Sequence, residues 1–163
     1  MTAVRLRTAL PADRDGIVDL LQELNRFEQG IAGDRLTDRA AAEAYHAELG
    51  ERLAKSQGRL LVGEADNRLV GLLGFVIEED DAYVVAPLRR YGAVTDLVVA
   101  EDRRGRGIGR LLLAEAEGLA REAGLRRLAL GVLDGNDAAE RAYLAFGFRP
   151  SVKWMVKPLG EEG

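Results

Sequence analysis

The sequence predicts an α/β fold, a single sheet of mixed direction dressed with helices. Three observations carry this. Short apolar runs with the two-residue period of strands alternate with longer runs of helical period. Two early strands are joined by a two-residue turn, which puts antiparallel pairing into the sheet. The second strand of that pair is apolar on both faces, as a central strand covered from each side must be.

Residues 4–8 alternate apolar and basic side chains and read as the first strand. Pro11 and Asp13 announce a helix. Its apolar positions Ile17, Leu20, Leu21, Leu24 and Phe27 build one buried stripe, and 29–34 is a polar turn with two glycines. Residues 37–57 form a weaker helix rich in Ala and Glu, closed by Gly58. His46 lies on it, expected exposed and without chemistry.

Strands 59–65 and 68–77 follow, joined by Asp66-Asn67, both of which tolerate positive φ. Residues 78–81 are four consecutive acids. Residues 82–91 read two ways: Tyr83-Val84-Val85 prolongs a strand, whereas Pro87 and Arg89-Arg90 suit a loop. Residues 94–99 are a strand. The helix after it places Ile108, Leu111, Leu112, Ala116, Leu119, Ala120 and Ala123 on one face and stops at Gly124. Residues 127–133 form another strand. Asn136 can cap a short helix over 137–146, ended by Gly147. Residues 148–159 read as a strand interrupted by Pro150, with Trp154 a partly buried aromatic on it.

The 163 residues suit one domain over 1–160, with a frayed tail at 161–163. At 47% hydrophobic the chain can fill a core, and no apolar run reaches the length of a membrane span. The absence of cysteine excludes disulfides, thiolate zinc sites and Cys nucleophiles. A single histidine makes a His-based metal cluster implausible, so no metal is expected. The first residues lack the apolar stretch of a signal peptide, and a cytoplasmic location is the expectation. A net charge of −4 argues against nucleic acid as a partner.

The most telling stretch is 103–109, Arg-Arg-Gly-Arg-Gly-Ile-Gly, between a strand and a helix. Glycines at alternate positions let backbone pass close to a ligand. The following helix offers free N–H groups and the positive end of its dipole to the same spot. Arg103, Arg104, Arg106 and Arg110 surround those donors, which describes a site for a pyrophosphate-like anion. The spacing is neither the G-x-G-x-x-G dinucleotide fingerprint nor a P-loop, since no Lys-Ser/Thr follows. The plain alternative is a Gly/Arg-rich surface turn without a ligand.

The strand Asp96-Leu97-Val98-Val99, the loop Arg104-Gly105-Arg106-Gly107-Ile108-Gly109 and the helix after it resemble the R-x-x-G-x-G acetyl-CoA motif of the GNAT superfamily of N-acetyltransferases. Asn136, Tyr143 and Phe146-Gly147-Phe148 are similar to that family's C-terminal N…Y…GF signature. The resemblance covers nearly the whole chain. It implies a mixed, mostly antiparallel central sheet of about six to seven strands flanked by about four helices.

The resemblance further implies acetyl-CoA as cosubstrate and direct transfer of its acetyl group to a primary amine in a ternary complex. Leu97, Val98 and Val99 would line the pantetheine arm, which pairs with exposed strand backbone. A backbone N–H near Val98 would stabilise the oxyanion. Amides over Gly105, Arg106, Gly107, Ile108, Gly109 and Arg110, beside Arg104, would hold the pyrophosphate. Asn136 would touch the cofactor arm, and Tyr143 would act as general acid toward the departing thiolate. The family also splays this strand from the next by a bulge, which the sequence does not reveal. Dimers joined through C-terminal strands are common among such proteins, so a homodimer is in view.

The chemistry suits these residue types. A Lys-type amine has a pKa near ~10.4 and must lose a proton before attack, whereas the leaving thiol has a pKa of about 8.5. Many family members carry Glu directly before the strand Asp. Thr95 stands there and cannot be a base at neutral pH. Asp96 is the nearest carboxylate and the candidate base, with a water chain to it or to an acid of 78–81 as the alternative. The bland roles remain beside the sharp ones: Tyr143 as core packing, Asn136 as a cap, Asp96 as a structural carboxylate. Trp154 could border the acceptor pocket, and the acids of 78–81 could attract a cationic amine. The acceptor is either a small molecule or a peptide amine. Two competing functions are a non-catalytic acyl-CoA-binding regulatory module on the same fold and a nucleic-acid binder. The second lacks a wide basic surface and stacking aromatics.

Overall fold

The computed structural model describes residues 3–160, so the expected frayed tail at 161–163 lies outside the described residues. Five strands form one sheet in the order of the chain: β1 (Arg5–Thr8), β2 (Arg59–Ala65), β3 (Arg68–Glu79), β4 (Arg90–Val99) and β5 (Leu128–Leu130). The first four pair antiparallel, and β5 joins β4 in parallel. Five helices accompany them: α1 (Arg14–Ala32), α2 (Arg39–Lys55), a single turn α3 (Ala86–Arg89), α4 (Ile108–Glu122) and α5 (Asp137–Phe146). The mixed sheet is as expected, whereas the strands number five rather than six or seven and the helices five rather than four.

The β2–β3 turn forms as the sequence predicts. Asp66 and Asn67 take φ of 52° and 56°, the left-handed pair that a two-residue hairpin with native twist needs. β3 is the central strand, and every residue from Val70 to Val76 is buried. α1 and α2 cover one face and α4 the other. Tyr45 of α2 reaches Asp96 on the first face, while Gly109 of α4 lies over Val99 on the second. Each fully buried Leu, Ile or Val in this two-sided core is worth about 1.5–3 kcal/mol.

Several expectations shift at the ends of elements. α1 runs through the expected polar turn to Ala32 and stops at Gly33, whose φ of 74° is left-handed. Phe27, expected in the buried stripe, is 40% exposed beneath the Arg104 guanidinium. α2 starts after Asp38, whose carboxylate accepts the amide of Ala41 at 2.9 Å. In α4, Ile108, Leu112, Ala116 and Ala120 are buried as expected, but Leu113 joins them while Leu111 and Ala123 are exposed. Residues 82–89 are loop and a helical turn, and β4 begins at Arg90. Glu78 and Glu79 end β3 instead of opening a solvated loop. His46 is half-buried rather than exposed.

The largest departure is at the C-terminal end. β5 keeps three of the seven expected residues, and 149–160 has no regular structure. Val152, Trp154, Met155, Val156 and Leu159 are 77–90% exposed, so Trp154 is not a partly buried strand aromatic. A strand needs a partner edge, and nothing among the described residues pairs with this one. The outer edge of β5 is likewise unpaired.

Candidate active site

The turn into α4 is built on two left-handed glycines, Gly105 (φ +72°) and Gly107 (φ +80°). Side chains disfavour that conformation by roughly 1–2 kcal/mol per residue. A Cβ at either would meet no atom within 4 Å, so handedness rather than crowding demands glycine, and the space above the loop is open. Gly107 is the N-cap of α4 and supplies no side-chain cap. The first intrahelical bond runs from Leu111 N–H to the Gly107 carbonyl at 3.0 Å. The amides of Ile108, Gly109 and Arg110 therefore have no helical partner and aim outward at the positive end of the dipole.

The four arginines divide. Arg103 pairs with Asp66 at 2.8 Å. Arg104 donates to the Val99 carbonyl at 3.1 Å, pairs with Glu23 at 3.2 Å and lies over the Phe27 ring. These two brace the loop. Arg106 and Arg110 are exposed, with Arg110 above the Phe146 ring.

A wedge opens beside this cradle. β5 pairs with β4 only at Gly92, Ala93 and Val94. Beyond Val94 the β5-facing edge of β4 has no strand partner. At that point the β3–β4 register shifts: Gly74 pairs with Asp96 and Phe75 with Val94, leaving Thr95 as an extra residue. This is a β-bulge, and it bends the strand away from its neighbour. Gly74 makes it sterically feasible, since a Cβ there would lie 2.1 Å from Thr95 Oγ1. That hydroxyl is buried and makes no hydrogen bond of ordinary geometry, but it lies near enough to Asp96 to favour its carboxylate form.

Backbone alternation sets the donors on the open edge. The Ala100 amide bonds to Val70 of β3, so the Val98 amide also faces β3 and those of Leu97 and Val99 face outward. The Val98 side chain is in the core, at 4% exposure. The outward amides that could meet an oxyanion thus belong to its two neighbours.

Asp96 is 9% exposed on the α1–α2 face. The Tyr45 hydroxyl donates to both carboxylate oxygens, at 2.9 and 3.0 Å. Burial pushes the Asp96 carboxyl above the usual carboxylate range; the neighbouring Thr95 hydroxyl, the Tyr45 hydrogen bond and Arg52 oppose this, and Glu28 adds to it. Tyr143, on α5, is held edge-on to Phe148 with ring centroids 6.0 Å apart. Burial and then Glu28 raise its phenol above the ordinary value, so it keeps its proton at neutral pH. Asn136 caps α5, its side-chain oxygen accepting the Ala139 amide at 3.3 Å, which leaves its amino group for another partner.

The structure thus brings the cradle, the open edge and Asp96 together on β4 and its continuation into α4. Two of the four acids of 78–81 are paired: Glu78 with Arg52 at 2.7 Å, and Asp80 with Arg127. Trp154 belongs to the exposed C-terminal segment and does not line the groove between Leu128 and Phe148. Sequence reasoning missed Tyr45 and Glu28, whose carboxylate accepts from Arg35 at 2.9 Å. Tyr45 lies 51 positions from Asp96, and no local spacing signals such a contact. Among the described residues no helix is long and apolar enough to cross a membrane.

A left-handed glycine turn feeding a capless helix, beside a strand splayed by a bulge, belongs to an acetyltransferase class of α/β fold. The chain belongs to the acetyltransferase (GNAT) family, whose family model matches residues 17–148. A Bacillus subtilis (strain 168) protein that carries the name of a ribosomal protein bS18 alanine N-acetyltransferase is 32% identical over 65% of this chain and 61% of its own length. An IAA acetyltransferase of Azospirillum brasilense is 33% identical over 72% of this chain and 66% of its own. The chain therefore spans a little under two thirds of the length of these relatives. Among solved structures, a predicted acetyltransferase of Clostridium acetobutylicum with acetyl-CoA superposes with a TM-score of 0.71 at 17% identity, over 96% of each chain.

Proposed function

We propose that this chain transfers the acetyl group of acetyl-CoA directly to a primary amine, through a ternary complex and without a covalent enzyme intermediate. The observation that carries this is the continuous row of unpaired main-chain donors. It runs from the open edge of β4 beyond the Thr95 bulge into the first turn of α4. An extended polar tail ending in a diphosphate fits such a row: the tail adds like a strand, and the phosphates take the helix amides. In that assignment Leu97, Val98 and Val99 line the arm. Arg104, Gly105, Arg106, Gly107, Ile108, Gly109 and Arg110 form the phosphate cradle, and Asn136 offers its free amino group. The solved relative with bound acetyl-CoA supports the choice of tail.

Bound acetyl-CoA supplies an activated thioester. The outward amide of Leu97 or Val99 meets the charge that develops on the acetyl oxygen. Asp96, kept buried behind the bulge, accepts the proton that the amine must shed, and Tyr143 gives one to the departing thiolate. The relatives are named for different acceptors, ribosomal-protein alanine in one and IAA in the other, so the acceptor class here is an amine on either a peptide or a small molecule. A homodimer fits the exposed segment 150–160 and the unpaired β5 edge.

Release of free thiol from acetyl-CoA, followed with a panel of small amines and peptide N-termini, tests the reading. Turnover on at least one amine is expected. Tight acetyl-CoA binding with no turnover on any amine would instead establish a regulatory acyl-CoA-binding module.

A further inference from the structure

We propose that Tyr45 is a positioning residue for Asp96, fixing its carboxylate behind the β4 bulge through one hydroxyl shared between both oxygens. The inference rests on the reading of Asp96 as proton acceptor. Its geometric basis is separate. α2 turns Ala42, Tyr45 and Leu49 toward the sheet, three and four residues apart on one stripe. Ala42 and Leu49 are fully packed, and Tyr45 alone carries a polar atom into that layer. Its oxygen sits 2.9 and 3.0 Å from the two carboxylate oxygens. Opposite, Gly74 pairs with Asp96 at the bulge, and a Cβ there would only touch Oδ2, at 3.5 Å.

The charged neighbours that bear on Asp96 are Glu28 from α1 and Arg52 from α2, with Tyr45 itself the titratable group in contact. Burial and Glu28 favour the protonated acid; the Thr95 hydroxyl, Tyr45 and Arg52 favour the carboxylate. A base must be ionised at the working pH and must not rotate out of line. Tyr45 meets both needs while staying a donor, because burial and the adjacent Asp96 hold its phenol well above the usual range. It acts through Asp96 and has no reacting atom of its own.

The test compares pH profiles of kcat/KM for thiol release in the full chain, with acetyl-CoA affinity measured by calorimetry. In Tyr45→Phe, acetyl-CoA affinity is expected to hold. The acid limb should move to higher pH by about one unit, with a roughly tenfold loss near neutrality that recovers in alkali. Site-specific replacement of Tyr45 by 3-fluorotyrosine keeps the fold and strengthens the donor, so it should move the limb to lower pH. Should Tyr45→Phe fail to fold, the fluorinated protein alone decides. An unmoved acid limb in both, while Asp96→Asn abolishes it, overturns the role of Tyr45 and leaves Asp96 standing. An Asp96→Asn protein with the wild-type profile removes the base and its positioning residue together.

Discussion

Asp96 sets function against stability in one side chain. Burial raises its carboxyl above the unfolded value. The stability it contributes is therefore fully present below the ordinary carboxylate range and lost as pH rises through the folded value. At neutral pH the buried anion is a net cost that Tyr45 only partly offsets. Asn cannot ionise but can still accept from Tyr45. Asp96→Asn is thus expected to melt higher than wild type at pH 7, by ~2–4 °C for each kcal/mol recovered, with the gap closing in acid. Thermal melts across pH check this, and the same variant should lose most turnover. Tyr143 makes a separate prediction. Its hydroxyl contributes no hydrogen bond to the described fold, so Tyr143→Phe should fold normally and bind acetyl-CoA as wild type does. Turnover should fall roughly 100-fold, as loss of a general acid implies; an unchanged rate would return Tyr143 to a packing role.

At the scale of elements, what could be read in advance depended on how far apart the cooperating residues lie in the chain. The α4 entry was legible because all its parts sit within seven residues: two glycines that need positive φ, and a helix with nothing to cap it. Gly107→Glu tests this unit. It forces a bulky anion into a left-handed position facing the phosphate cradle, and acetyl-CoA binding should vanish by calorimetry while circular dichroism stays native. Retained affinity would move the diphosphate elsewhere. The bulge was not legible. It needs Gly74 on one strand and Thr95 on the next, and either residue alone reads as ordinary. The Tyr45–Asp96 contact was hidden for the same reason, as was the pairing of Glu78 with Arg52 and of Asp80 with Arg127. The C-terminal strand was misread for a converse reason. Residues 152–157 carry the right alternation, but pairing depends on an edge, which a local pattern cannot specify.

For the whole molecule, the unsatisfied pieces are complementary. Val152, Trp154 and Val156 are exposed and would share one face of this segment if it paired as a strand, and β5 has a free edge. A groove of about 470 Å³ lies beside that edge, with Leu125, Leu128, Phe146 and Phe148 in its walls. One segment docking on a second copy would bury three large side chains, worth roughly 5–9 kcal/mol, which barely meets an association cost of about 4–15 kcal/mol. In the proposed homodimer, two-fold exchange would double the gain for one such cost. Removing 150–163 should yield a monomer by sedimentation velocity under conditions where the full chain is a dimer, with acetyl-CoA affinity preserved. Equal masses would leave the segment without a partner in this chain. Trp154 is the chain's single tryptophan and is 90% exposed. Its tryptophan emission therefore reports on this segment alone, and in the proposed dimer it would be red-shifted and easily quenched at high dilution and blue-shifted as copies meet, with no dye attached.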